Sequence, residues 1–223
     1  MFQILKDFFK KKVSVVSEGQ HNSVSVPDSE NCLVNVFGNN NYVHISDTAR
    51  FNGKIDIYGN SNILMIGDGS NISAKIKIGA PQTPFSCPIT SASLLIGKRV
   101  YMGGARIVLM EDVSLLSIGD DCAIAEGVDI WCSDTHSILD DKGELTNAGR
   151  YTRIGDHCWI GKDAKIGKNV VVEDNNIVGW GSVVTKSFYE HNTVIAGNPA
   201  KIVKRNAFWD KRSPNLMMQN QRD

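Results

Sequence analysis

IGDHCW IGKDAK IGKNVV VEDNNI VGWGSV, residues 154–183, is one uninterrupted run that divides into five blocks of six. An aliphatic residue opens each block, at 154, 160, 166, 172 and 178, and Val184 opens a sixth. Glycine follows at 155, 161, 167 and 179. Four places after the aliphatic stands a mostly small residue: Cys158, Ala164, Val170, Ser182. A period of six suits neither an α-helix, at about 3.6 residues per turn, nor hairpins with turn signals every 8–12 or so residues. It suits short strands joined by tight bends, each sending one aliphatic inward. Glycine at the second position lets the backbone take a conformation that a side chain would obstruct.

The beat extends upstream. IGDDCA and IAEGVD (118–129) keep the period of six. Earlier still, VNVFGNNNYVHISDTA (34–49) aligns with IDIYGNSNILMIGDGS (55–70) twenty-one residues on, KIKIG (75–79) starts another turn, and EGQHNSVSV (18–26) is a further copy. Each N-terminal copy carries G-x-x-N, at Asn22, Asn41 and Asn62. Strands stacked about 4.8 Å apart would set these amides above one another, where they bond along the stack. The expectation is an all-β chain, a parallel β-helix of triangular section, with a ladder of turn asparagines.

With 223 residues and 42% apolar content, the chain can bury one full core. Lysine plus arginine equals aspartate plus glutamate at 24 each, so no global charge recruits nucleic acid or an anionic membrane. Five cysteines, without CxxC spacing, read as free thiols in a reducing, cytoplasmic setting. Cys122 and Cys158 fall at the small-residue position and should be buried. No apolar run reaches the length of a signal peptide or a membrane span. The opening MFQILKDFFKKK (1–12) mixes apolar and basic residues, and either caps the domain or grazes the inner membrane surface peripherally. The β-helix is expected over 13–205, with a tail at 206–223.

Two excursions break the rhythm. APQTPFSCPITS (80–91) holds three of the six prolines, and a second excursion runs from Asp134 to about Arg153. Loops leaving a rigid scaffold are where reactive groups are presented. His136 opens the second; it reads either as a solvated side chain or as a base. Imidazole, with an ordinary pKa of about 6.5, is neutral enough at pH 7 to accept a proton.

The hexads, together with GWGSVVTKSFYEHNTVIAGNPAKIVKR (179–205), resemble the hexapeptide-repeat acyltransferases over roughly residues 13–205. The resemblance implies left-handed coils, against the usual right-handed crossover rule, and a homotrimer with active sites between subunits. It implies acetyl-CoA as cosubstrate, no metal, and His136 as the catalytic base. Trp159 would lie beside the acetyl-CoA arm or the acceptor, and Lys162, Thr185, Lys186 and Lys204 would contact CoA. Trp180 replaces the alanine usual in the family, and would stack on CoA or acceptor or narrow the groove. Asp134 is the nearest carboxylate to hold the imidazole, although a backbone carbonyl would serve. Lys201, Lys204 and Arg205 suit the phosphates of CoA, or form a solvated face. The Asn-rich coils and the long loop after the histidine look most like enzymes that O-acetylate capsule or lipopolysaccharide sugars, polysialic acid among them; small-molecule or antibiotic acetylation stays open.

The chemistry matches the residue. Acetyl transfer from a thioester to a hydroxyl requires a base for the hydroxyl proton and fixed donors for the oxyanion. Two other classes compete. A zinc-dependent hydratase on similar coils would use His136 with His157, twenty-one residues apart. A non-catalytic binding platform would leave the His136 excursion and the NPAK tail unexplained.

Overall fold

A computed structural model describes residues 13–29 and 31–219; the cap expected at 1–12 lies outside them. The chain winds into a parallel β-helix with three faces. In the regular coils Ala123–Ile124, Trp159–Ile160 and Ile177–Val178 stack on the first face. Asp129–Trp131, Lys165–Ile166 and Val183–Val184 form the second. Leu115–Ile118, Tyr151–Ile154 and Val171–Val172 form the third. Toward the N-terminus the first two faces merge into long bent strands such as Arg50–Asn60 and Tyr101–Leu109. Among the described residues no helix is long and apolar enough to cross a membrane.

The hexad positions have distinct physical roles. The opening aliphatics, Ile118 through Val184, are at most 2% exposed and fill the axis of the prism. Cys122, Val128, Cys158, Ala164, Val170 and Ser182 are buried at the corners. The fourth position takes the left-handed region throughout: Asp121, Gly127, His157, Asp163, Asn169, Asn175 and Gly181 have φ between 50° and 73°. These are residue types that tolerate it. The glycine at the second position has a different role from the one expected. Gly155 keeps an ordinary φ, but an added Cβ would lie 2.6 Å from the backbone nitrogen of Asp174 in the next coil. It permits close stacking rather than an unusual dihedral.

The expected asparagine ladder is present. Asn41 N–H donates to Asn22 Oδ1 at 2.9 Å and Asn62 N–H to Asn41 Oδ1 at 3.0 Å. Asn41 Nδ2 reaches the Gly59 carbonyl at 2.8 Å. Ala92 N–H closes the ladder on Asn62 Oδ1 at 3.0 Å.

Register explains why the interruptions keep phase. Tyr42 pairs with Ile63, twenty-one residues on, but Ile63 pairs with Ser93, thirty on, so residues 80–88 are extruded. The strand Ile89–Thr90 then rejoins the stack, two residues before the expected loop end. Ile118 pairs with Ile154, thirty-six residues on, where Ile154 to Val172 takes eighteen. The second excursion thus occupies one extra coil's length of sequence while the stack advances one step. It ends at Arg150, since Tyr151–Ile154 is already a strand.

Thr193–Gly197 and Ala200–Arg205 form an antiparallel hairpin at the C-terminal end. The tail then returns along the coils. Trp209 stacks on His157 with centroids 4.5 Å apart, and its Nε1–H donates to the His157 carbonyl at 2.7 Å. A short helix, Pro214–Gln219, follows.

Candidate active site

The two excursions meet. Together they enclose a cavity of about 450 Å³, with Phe85 and Cys87 from the first loop and His136, Leu145 and Asn147 from the second. Met110 and Glu111, just past the strand Tyr101–Leu109, supply its coil side. His136 is exposed at this cavity. The 80–88 loop flanks it within the same chain.

The turn that carries His136 is heavily tethered. Ser133 Oγ accepts the Thr135 N–H at 2.8 Å and donates to Glu111 Oε1 at 2.7 Å. Asn147 Nδ2 donates to the His136 carbonyl and to Asp134 Oδ2, both at 2.8 Å. Lys168 Nζ donates to Asp134 Oδ2 at 2.5 Å and also to the Asn147 carbonyl. Asp134 thus bonds Lys168 and Asn147, and its hydrogen bonds do not include the imidazole. Its hydrogen bonds from Lys168, then Asn147, hold its pKa below the usual carboxylate range, and they tie the loop to the coil beneath.

Glu111 is the carboxyl that the sequence reading missed. Burial raises its pKa, opposed by the Ser133 hydroxyl, the nearby Gly149 amide and the Lys168 charge, and reinforced by Asp134. Its Oε2 is buried without a hydrogen bond of good geometry. No periodicity marks Glu111, because it lies past the end of a strand in an irregular corner; its partner Ser133 was visible only as part of the broken rhythm.

The residues expected to bind CoA divide between two places. Trp159 is half-exposed on the first face, 6.2 Å from Trp209, away from the residues lining the His136 cavity. Lys162 follows at the next corner and pairs with Glu126 at 3.7 Å. Trp180, 76% exposed, lies one coil on against Gly161. Thr185 and Lys186 leave the second face at the corner that carries Lys168 one coil earlier. Lys186, Lys201 and Arg205 line a separate cleft of about 490 Å³ with Tyr189 and Glu190. Arg205 is paired with Glu190 at 2.6 Å, leaving Lys186 and Lys201 as its unpaired cations among the described contacts. Lys204 is exposed on the hairpin, outside the cleft's lining. One chain thus does not bring all six together.

Ligand-type side chains gather elsewhere. Among the described residues, Glu173, Asp174 and His191 have ligand atoms within 4.8 Å of one another. Arg153 already pairs with both carboxylates, at 2.5 and 2.9 Å. His157 turns toward Asn175, at 3.2 Å, and Trp209, and not into the His136 cavity. The five cysteines are free; burial pushes Cys132 up to about 12, which leaves it an inert thiol.

Residues 151–186 match the bacterial transferase hexapeptide family, six repeats. That stretch of the chain is a run of hexapeptide repeats. The polySia-specific acetyltransferase NeuO superimposes with a TM-score of 0.80 and 28% identity, over 94% of this chain and 98% of that one. The polysialic acid O-acetyltransferase OatWY superimposes at 0.63 with 27% identity, over 93% and 96%. Both likenesses cover more than nine-tenths of this chain. With these relatives the fold is the left-handed form of the β-helix. A comparison with curated proteins found no match.

Proposed function

We propose that the hexapeptide-repeat chain is an acetyl-CoA-dependent O-acetyltransferase that acylates a hydroxyl of a surface glycan, with His136 as general base. The observation that carries this reading is the exposed imidazole at a cavity built by both excursions, in a chain similar along its length to two polysialic acid acetyltransferases. The cavity lies in the volume range of small-ligand sites. Its lining mixes an exposed aromatic, Phe85, with hydroxyls and the cation Lys77, which suits an acidic sugar. A neutral His136 takes the proton of the attacking hydroxyl and can return it to the departing thiolate. Lys186 and Lys201 offer charge to the phosphates of CoA.

The homotrimer belongs to the same proposal. Tyr42, Ile63, Met65, Leu95 and Tyr151 project from the third face and are each about 40% exposed, a column that association would cover. Closed cyclic symmetry would limit the assembly. It would also allow Trp159 of one subunit to approach His136 of another, which a single chain does not do. We place the enzyme in the cytoplasm, without a metal requirement.

The test measures thiol release from acetyl-CoA with polysialic acid as acceptor. His136→Ala should lower kcat by about two to four orders of magnitude, with CoA affinity kept. Wild-type turnover in that variant would falsify the base assignment. Loss of activity on chelation, restored by zinc alone, would overturn the metal-free mechanism as written. Mixing inactive His136→Ala and Trp159→Ala chains should restore some activity if the site is shared. A monomer in sedimentation would remove the trimer from the scheme.

A further inference from the structure

We propose that Glu111 and Lys168 are positioning residues for His136, clamping the Ser133–His136 turn from two different coils. The inference rests on His136 being the base proposed above. It begins with the backbone. Thr135, immediately before His136, has φ +62°. At the hexad corners Asp, Asn, His and Gly occupy that region, but a β-branched residue there is an outlier. Such a conformation is strained and persists only where its surroundings over-determine it.

The surroundings do so from both sides. On one side, Ser133 Oγ accepts the Thr135 N–H, which directs its own proton to Glu111 Oε1. Glu111 follows the strand Tyr101–Leu109, in the coil that precedes the excursion. On the other side, Lys168 holds Asp134 and the Asn147 carbonyl, and Asn147 holds the His136 carbonyl. Lys168 follows the strand Lys165–Ile166, in the coil after the excursion. Main-chain and side-chain groups of residues 133–136 are therefore tied to the stack above and below. None of these bonds takes a ring nitrogen of His136, so the imidazole stays available to substrate. A residue at 111 serving only to fill space would not need a carboxyl whose Oε1 accepts the Ser133 hydroxyl.

The experiment compares Ser133→Ala, Glu111→Ala and Lys168→Met, each alone and combined with His136→Ala. Each alone should lower kcat about 10- to 100-fold, the scale of misplacing a catalytic group by about an ångström. Acceptor KM, CoA affinity and melting temperature should change little. Combined with His136→Ala, none should slow the reaction further, because a positioning residue has nothing left to position. Glu111→Gln, which keeps an oxygen for the Ser133 hydroxyl, should recover most of the rate. Full kcat in the single variants, or losses that multiply with His136→Ala, would overturn the proposal. Normal turnover by His136→Ala would instead overturn the base assignment. A readout without acceptor separates the two. The His136 ring signal, observed in protein carrying ¹³C at histidine Cε1, should shift or broaden in Ser133→Ala and in Lys168→Met. An unchanged signal in both refutes the clamp whatever the activity.

Discussion

The coils and the second excursion solve the problem of backbone and polar satisfaction in opposite ways. In the coils a residue's partner is the same position one turn away: Asn22 meets Asn41, Asn41 meets Asn62, and each inward aliphatic meets another. One rule, applied repeatedly, satisfies the members of the ladder. In the excursion each partner is different in kind and in origin. Ser133 uses a carboxyl from residue 111, Asp134 an ammonium from residue 168, and His136 an amide from residue 147. Translation generates a stable scaffold but only ladders of like groups. A catalytic constellation needs unlike groups, so the chain must leave the repeat to build one.

The largest effect expected from breaking the repeat is at one of its tightest contacts. Gly38 has φ +130°, and an added Cβ would lie 1.9 Å from the Gly59 carbonyl oxygen in the next coil. Neither the strand above nor the one below can retreat, since both are hydrogen-bonded along their length. Gly38→Ala should cost about 3 kcal/mol or more. That is a fall in Tm of roughly 6–12 °C for a chain of this size, read by calorimetry at one fixed concentration. A shift below 2 °C or so would show that the coils slide past one another more freely than their ladders suggest.

This contrast also explains what could be read from sequence. Inward aliphatics, corner residues and the asparagine ladder all repeat, and translation makes position in the period equivalent to position in space. His136 was legible because it stands where the period fails. Glu111, Lys168 and Trp209 were not. Lys168 occupies an ordinary hexad position and looks like any solvated lysine until the excursion folds over it. Glu111 lies beyond a strand end. Trp209 is an aromatic in a tail whose path no local pattern specifies. For the same reason, the closeness of Asp134 to His136 in sequence said nothing of the ammonium, thirty-four residues on from Asp134, that bonds it.

A smaller effect is expected within the ladder. Asn62 is fully buried; its amide donates to Asn41 Oδ1 and the Ile89 carbonyl and accepts from Ala92 N–H. Asn62→Ala leaves those groups unpaired in the interior and should cost about 1–3 kcal/mol. Because Ile89 and Ala92 border the first excursion, hydrogen exchange should quicken at Ala92 before it does in the C-terminal coils. Equal quickening everywhere would mean that the prism opens as one unit and not coil by coil.

The smallest effect should come from the glycine that shares Gly38's dihedral freedom but none of its packing. Gly143 has φ +79° at the tip of the second excursion, with nothing within 4 Å of an added Cβ. The Asp140 side chain accepts Lys142 N–H and Glu144 N–H around it, so the turn is set locally and not by the stack. Gly143→Ala then costs only the left-handed backbone, about 1 kcal/mol, and Gly143→Asn, a residue at ease in that region, should cost a few tenths at most. The expected order in Tm is wild type, Gly143→Asn, Gly143→Ala, and far below them Gly38→Ala. If Gly143→Ala proved as damaging as Gly38→Ala, the loop tip would have to be packed against something that a single chain does not contain. A neighbouring subunit is the occupant that the trimer proposal supplies, and a deficit that grows on dilution would identify it.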